Sequence, residues 1–181
     1  ERHQVAEYLT RTKLGTHPKP VPVAQCNGAA ARFDMTKAPA ELGWGYDPTR
    51  FIPGDIAKID KADVPRLKVK WAFAFPGATR TRSQPVIALG AAFVGSQDGT
   101  IYALDLASGC VRWQSKVAGE VRTAVIVEPR ARDAKPKRNP RLFFGDILGN
   151  LYAMDAITGK QVWRIRVDEH PNSTLTGTPT F

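Results

Sequence analysis

The chain has 181 residues, with 26 Lys and Arg against 17 Asp and Glu for a net charge of +9, and only two cysteines. The surplus charge forms no stripe along any predicted helix or strand, which argues against a nucleic-acid grip, and the cysteines form no C-x-x-C, which excludes a zinc ribbon, a thioredoxin-like pair and a c-type haem attachment in this stretch. The longest apolar run, residues 85–95, is far too short to span a bilayer, and there is no G-x-S-x-G, Walker or dinucleotide fingerprint.

In chain order, residues 1–13 (ERHQVAEYLTRTK) place Val5, Tyr8 and Leu9 on one face of a short helix that ends at Gly15. Pro18, Pro20 and Pro22 then alternate, which predicts an extended linker. The expected division is 1–15 as the tail of a helical domain, 16–25 as linker and 26–181 as a sheet-forming unit. A lead-in follows, WGYDPTRF at 44–51 and ADVPRLKVKWAF at 62–73, of which 67–73 is expected to be an outer strand closing a blade elsewhere.

Two stretches, FVGSQDGTIYALDLASGCVRW at 93–113 and FFGDILGNLYAMDAITGKQVW at 143–163, then repeat one pattern 50 residues apart. That period belongs to propeller blades or solenoid units. Predicted strands run over 84–89, 91–95, 100–105 and 111–116, then 122–127, 141–145, 150–155 and 161–167, with 176–181 opening a third blade. Asp105 and Asp155 can accept backbone N–H groups of the following turn, whose glycines, Gly109 and Gly159, take φ > 0. Trp113 and Trp163, four residues on, suit wedges between neighbouring sheets. The fold class is therefore all-β, a partial β-propeller of about two blades plus flanking strands behind a short N-terminal helix. Propellers close with roughly 4 to 8 blades, so the chain is expected to be part of a larger ring. The basic loop 128–141 holds six Lys or Arg against two acids and reads as a solvated insertion rather than a docking patch.

The A-x-D-x-x-[ST]-G-x-x-x-W pattern resembles the tryptophan-docking motif of the quinoprotein β-propellers, in full at 153–163 and with Ser108 and Cys110 in place of Thr and Lys in the first copy. The lead-in and the two repeats together resemble the polyvinyl alcohol dehydrogenase type, with 48–49 departing from its longer Asn-containing stretch. Residues 1–13 resemble the C-terminal helix of a class I cytochrome c, and equally read as a generic amphipathic helix. The resemblance implies oxidation of secondary alcohols in the periplasm with pyrroloquinoline quinone (PQQ), and cytochrome c as electron acceptor. It places the calcium ligands and the catalytic Asp past residue 181 and any haem c in an upstream domain, so no catalytic or metal residue is expected here. The competing class is a cofactor-free propeller serving as an outer-membrane assembly scaffold or a sensor domain.

At the starts of the inner strands, Arg82, Arg122 and Thr176 align at nearly one height. Two guanidiniums and a hydroxyl there suit a planar tricarboxylate, since guanidinium pairs carboxylates bidentately. The resemblance supports Arg122 and Thr176, while Arg82 stands where that family often has an acid; for each arginine the plain alternative is a rim charge. Cys26 and Cys110 either tie the N-terminal arm to the first blade, closing a loop worth about 4 kcal/mol, or are unrelated thiols. His3, His17 and His170 show no ligand spacing.

Overall fold

A computed structural model describes residues 22–37, 51–129 and 137–180, together with 4, 7, 8, 11 and 13. Two four-stranded antiparallel sheets dominate it, ordered β1-β2-β3-β4 and β5-β6-β7-β8. The first is built from Val86–Ala88 (β1), Ala91–Gly95 (β2), Thr100–Asp105 (β3) and Val111–Lys116 (β4). The second is built from Ile126–Val127 (β5), Arg141–Gly145 (β6), Asn150–Asp155 (β7) and Gln161–Arg166 (β8). The architecture is that of consecutive propeller blades, and Gln4, Glu7 and Tyr8 are helical ahead of it.

Local chemistry fixes each meander. Leu89 and Gly90 both have positive φ, which makes the two-residue β1–β2 connection a primed hairpin turn. Asp105 Oδ2 accepts from the Ala107 and Ser108 backbone N–H groups at 3.1 and 2.8 Å and from the Ser108 hydroxyl at 2.7 Å. Asp155 Oδ1 repeats this with Ile157 and Thr158 at 2.9 and 2.8 Å, and Gly109 and Gly159 turn the chain at φ 75° and 67°. The register slips at Ala103/Leu104 and at Ala153/Met154, so each outer strand carries a bulge just before its tryptophan. Such a bulge re-aims the side chains beside it.

The middle strands are buried on both faces. Phe93, Ile101 and Ala103 from the first sheet meet Leu142, Phe144, Tyr152 and Met154 from the second in one core. The opposite face of the first sheet, carrying Val94, Tyr102 and Leu104, is covered by Val23, Trp71, Phe73 and Phe75. Between the blades Trp113 donates its indole N–H to the Ala156 carbonyl at 3.0 Å, and a Cβ on Gly159 would lie 2.6 Å from its ring. Trp71 does the same one blade earlier, donating to the Leu106 carbonyl at 3.1 Å and lying over Gly109.

One expectation needs correction, and two reach beyond the described residues. Residues 67–73 and 176–180 form no ladder among the described residues, because no described strand lies beside them. Trp71 and Leu175 anchor these segments by side-chain packing instead. The inner strands are shorter than 84–89 and 122–127, since Pro85 cannot donate to a ladder and the Ala124 N–H is given to the Thr178 hydroxyl at 3.2 Å. Trp163 packs against Phe143, ring centroids 6.0 Å apart, and no described blade lies beyond it. The expectations on 1–3, 5–6, 9–10, 12, 14–21, 38–50, 130–136 and 181, which include the WGYD stretch, most of the proline linker and half the basic loop, fall outside the described residues.

The N-terminal arm crosses the first blade. Cys26 and Cys110 form a disulfide with Cα atoms 5.1 Å apart, and the backbones of Ala24 and Cys26 bond both sides of Val111. Asp34 N–H donates to the Leu89 carbonyl, and Leu89 N–H donates to the Lys37 carbonyl. Arg112, the bulge residue, lies beneath the arm. It donates to the Ala30, Leu89 and Gly90 carbonyls and to Asp105 Oδ1 at 2.6 Å, with its guanidinium 4.7 Å from the Phe33 ring centroid.

Candidate functional site

β1 and β5 are the innermost strands of the repeat, and hydroxyl groups hold the segments leading into them. Ser83 Oγ donates to the Thr123 carbonyl at 2.8 Å and accepts from Gly95 N–H at 3.1 Å. Thr123 Oγ1 accepts from Gly145 N–H at 3.0 Å and donates to the Gly145 carbonyl at 3.3 Å. Val86 pairs with Phe93 and Ile126 with Phe143 in the same register, so Ser83 and Thr123 coincide, and with them the preceding residues Arg82 and Arg122.

A second pair of equivalences carries the alignment onward. Val121 N–H donates to the Ser96 carbonyl and Leu175 N–H to the Asp146 carbonyl, each at 3.1 Å. Their side chains fill the space over Gly95 and Gly145, where a Cβ would approach them to 2.5 and 2.6 Å. Thr176 therefore stands to the second blade as Arg122 stands to the first. Thr176 and Arg82 are exposed, whereas Arg122 is partly buried.

The residue that gathers the charges is one the repeat pattern does not single out. Glu120, 8% exposed, accepts from Arg122 Nη2 at 3.0 Å and pairs with Arg80 Nη2 at 3.6 Å. The bond from Arg122, against the opposing effect of burial, holds the Glu120 carboxyl below its ordinary value, and the charges of Arg122, Arg80 and Arg82 add to this. The same bond raises the Arg122 guanidinium. Counting Glu120 and these three arginines alone, the sum is +2. Arg122 Nε is buried with no hydrogen-bond partner among the described residues. The only advance signals in the sequence were the E-x-R spacing of 120–122 and the R-x-R of 80–82, which mean little until one seam brings them together.

The loop bearing Glu120 is pinned from both blades. Val117 N–H donates to the Gly99 carbonyl at 2.7 Å, and Ile147 N–H to the Glu120 carbonyl at 2.9 Å. Ala118 N–H donates to the Tyr152 hydroxyl at 3.2 Å, and that hydroxyl donates to Asp146 Oδ2 at 2.7 Å. Burial first, and then the Asp146 carboxylate, raises the Tyr152 phenol, so the hydroxyl keeps its proton. Thr79 and Arg80 N–H groups share the Gln97 side-chain oxygen at 2.9 and 3.2 Å, which fixes the separate segment that carries Arg80. The arrangement sets guanidiniums with donors to spare on a backbone held from several sides, a chemistry suited to pairing with an anion. No three His, Cys, Asp or Glu side chains come together among the described residues.

Comparison with known proteins gives the family and the fold. Residues 42–164 match the family described as "PQQ: Glucose/ethanol/alcohol dehydrogenase, beta-propeller domain". The chain is 36% identical over 164 residues to a polyvinylalcohol dehydrogenase of a Pseudomonas sp., an alignment covering 90% of this chain and 25% of that protein. It is 33% identical over 162 residues to a polyvinylalcohol dehydrogenase of Sphingopyxis sp. (strain 113P3), covering 90% and 24% respectively. Among solved structures, a quinohemoprotein alcohol dehydrogenase of Pseudomonas putida HK5 matches 88% of this chain and 24% of its own at TM-score 0.61 and 22% identity, a likeness of fold. The chain thus spans about a quarter of the length of the curated relatives it matches.

Proposed function

This chain belongs to the PQQ-dependent quinoprotein alcohol dehydrogenase family, and from that premise we propose that it supplies the first two blades of an enzyme oxidising secondary alcohols such as polyvinyl alcohol. In this reading PQQ is the cofactor and cytochrome c the electron acceptor. The observation that carries it is the cluster at the inner strand starts: Arg82 and Arg122, with Arg80, around Glu120, with net positive charge and a buried Arg122 Nε still lacking a partner. A planar tricarboxylate fits such a donor set, because it can satisfy the spare N–H groups and the uncompensated charge together. Thr176 at the equivalent position on the next segment adds a hydroxyl donor.

When bound, the quinone supplies a two-electron acceptor for the hydride of the alcohol, with a calcium ion whose ligands the resemblance places past residue 181. What the residues here do is bind and orient. Arg122 and Arg82 hold carboxylates, Thr176 donates to the ring system, and Ser83 and Thr123 keep the inner backbone from moving as charge arrives. The Cys26–Cys110 disulfide suits an oxidising compartment and supports a periplasmic enzyme. Residues 1–15 are read as the tail of a cytochrome c-like helical domain, 16–25 as its linker and 26–181 as the start of the ring.

The test is titration of the complete protein with PQQ, following quinone absorbance, and then dye reduction with a secondary alcohol. Saturable binding with turnover is expected, and Arg122→Ala should weaken binding roughly 10- to 100-fold, the loss of one charged hydrogen-bonding group. A complete protein that binds no PQQ overturns the reading in favour of a cofactor-free scaffold or sensor.

A further inference from the structure

Among the groups at the inner strand starts, Glu120 has no obvious use in an anion site: it is a buried carboxylate where a polyanionic ligand is to bind, and by Coulomb's law alone it opposes that ligand. Yet its backbone is held from both blades. Its own backbone carbonyl is bonded from the second blade by Ile147, and the next residue is bonded to the first blade at Ser96. Gly119 before it leaves no room for a Cβ, which would meet Leu148 at 2.9 Å. Its carboxylate gathers side chains from two different segments, Arg80 at 3.6 Å and Arg122 at 3.0 Å.

Resting on the reading above, we propose that Glu120 is the positioning residue of this site: it holds the Arg122 guanidinium by one Nη and so aims the remaining donors at a cofactor carboxylate. The reasoning is one of preorganisation. A long cationic side chain left to itself samples many rotamers, and fixing it on binding costs affinity. A buried carboxylate at 3.0 Å fixes it in advance. Arg80, with its side chain 48% exposed and the longer 3.6 Å contact, balances the remaining charge of Glu120 from the solvent side. Arg122, Arg80 and Arg82 still outnumber the one Glu120 carboxylate, so the cluster keeps cations for an anion while losing its disorder.

The two effects of Glu120 have opposite signs, which makes the proposal testable by a binding constant and not only by activity. Glu120→Gln keeps the shape and removes the negative charge, so pure electrostatics makes PQQ bind more tightly. Loss of positioning makes it bind more weakly. The dissociation constant of PQQ for the complete protein is measured by quenching of tryptophan fluorescence, in wild type, E120Q and E120D, beside the thermal unfolding midpoint of each. The expected result is about tenfold weaker binding in E120Q and a smaller loss in E120D, whose carboxylate is drawn back by one methylene. Unchanged or tighter binding in E120Q overturns the proposal while leaving the PQQ reading intact. Should E120Q fold poorly, E120D decides alone: a three- to tenfold loss at an unchanged midpoint supports the role, and unchanged or tighter binding refutes it. A wild type that binds no PQQ removes the reading and this inference with it.

Discussion

The contact on which blade-to-blade order rests is the indole of Trp113 over Gly159, and Gly159→Ala tests it. Residue 159 has φ 67°, a conformation that costs an alanine about 1–2 kcal/mol. The added Cβ would also lie 2.6 and 2.7 Å from Trp113 Cε3 and Cδ2 and 2.9 Å from Ser115 Oγ. Neither neighbour can easily retreat, since Trp113 is bonded to the Ala156 carbonyl and Ser115 to the Gly159 carbonyl at 2.6 Å. Overpacking of this kind adds about 1–3 kcal/mol, for a total of roughly 2–5 kcal/mol. Gly77 provides the control: its φ is 68° but nothing lies within 4 Å of its would-be Cβ, so Gly77→Ala carries only the backbone cost. Urea unfolding of the complete protein, followed by tryptophan fluorescence, compares the two. G159A should exceed G77A by about 1–3 kcal/mol, and Gly109→Ala, facing Trp71 at 2.6 Å, should match G159A. If G159A costs no more than G77A, the tryptophan does not dock the blades as described.

Three further outcomes follow from the arm and the turns. Cys110→Ser opens the loop of sequence separation 84 and should lower stability by about 4 kcal/mol in the chain-entropy picture, read as a drop in urea midpoint that dithiothreitol reproduces in the wild type. Arg112→Met leaves Asp105 buried without its cation and should cost about 3–5 kcal/mol, whereas Val162→Met at the matching exposed bulge should be near neutral by the same measurement. Burial pushes the Asp105 carboxyl up, but the bonds from Ser108 and Arg112 outweigh it and the net shift is downward; Asp155 is likewise lowered on balance. Groups lowered on folding contribute stability that is present above the unfolded carboxylate range and lost as pH falls through the folded values. The unfolding midpoint should therefore hold from pH 8 to about 5 and decline below about 4, and Asp105→Asn should blunt that decline.

The blade pattern was legible because it is local chemistry written twice. Asp105 with Gly109 and Asp155 with Gly159 close their turns within five residues, and the apolar runs within 100–105 and 150–155, buried along most of their length, need no distant partner to be read as inner-sheet strands. The segments around them were harder, because a strand exists only beside another strand: 67–73 and 176–180 have suitable residues but no described neighbour to pair with. Arg82 and Arg122 could be aligned in advance since β1 and β5 keep one register against β2 and β6, and Thr176 because Leu175 repeats the place of Val121. Glu120 could not, because its partners come from residues 80 and 122 and meet only across a seam. Arg112 escaped for the same reason: its acceptors are the carbonyls of residues 30, 89 and 90, and alternation says nothing of a bulge.

The positions where the two blades disagree explain why the repetition is imperfect. In the first blade the turn acid is Asp98, which accepts from the Thr100 N–H and hydroxyl and pairs with Lys116 at the surface. In the second the acid has moved two places earlier to Asp146, fully buried, where it accepts from the Asn150 side chain and from the Tyr152 hydroxyl. Leu148 inherits the outer position and lies over Gly119. This exchange frees the Tyr152 oxygen to accept the Ala118 N–H, and so fastens the loop that carries Glu120 and, beyond it, Arg122. Arg112 in place of a second Val162, and Cys110 in place of a second Lys160, occur where the N-terminal arm crosses the first blade. Each of these breaks in the repeat thus falls where a blade must hold something besides its neighbouring sheet, the arm in one case and the loop carrying Glu120 in the other. A ring built from strictly identical blades would have neither hold.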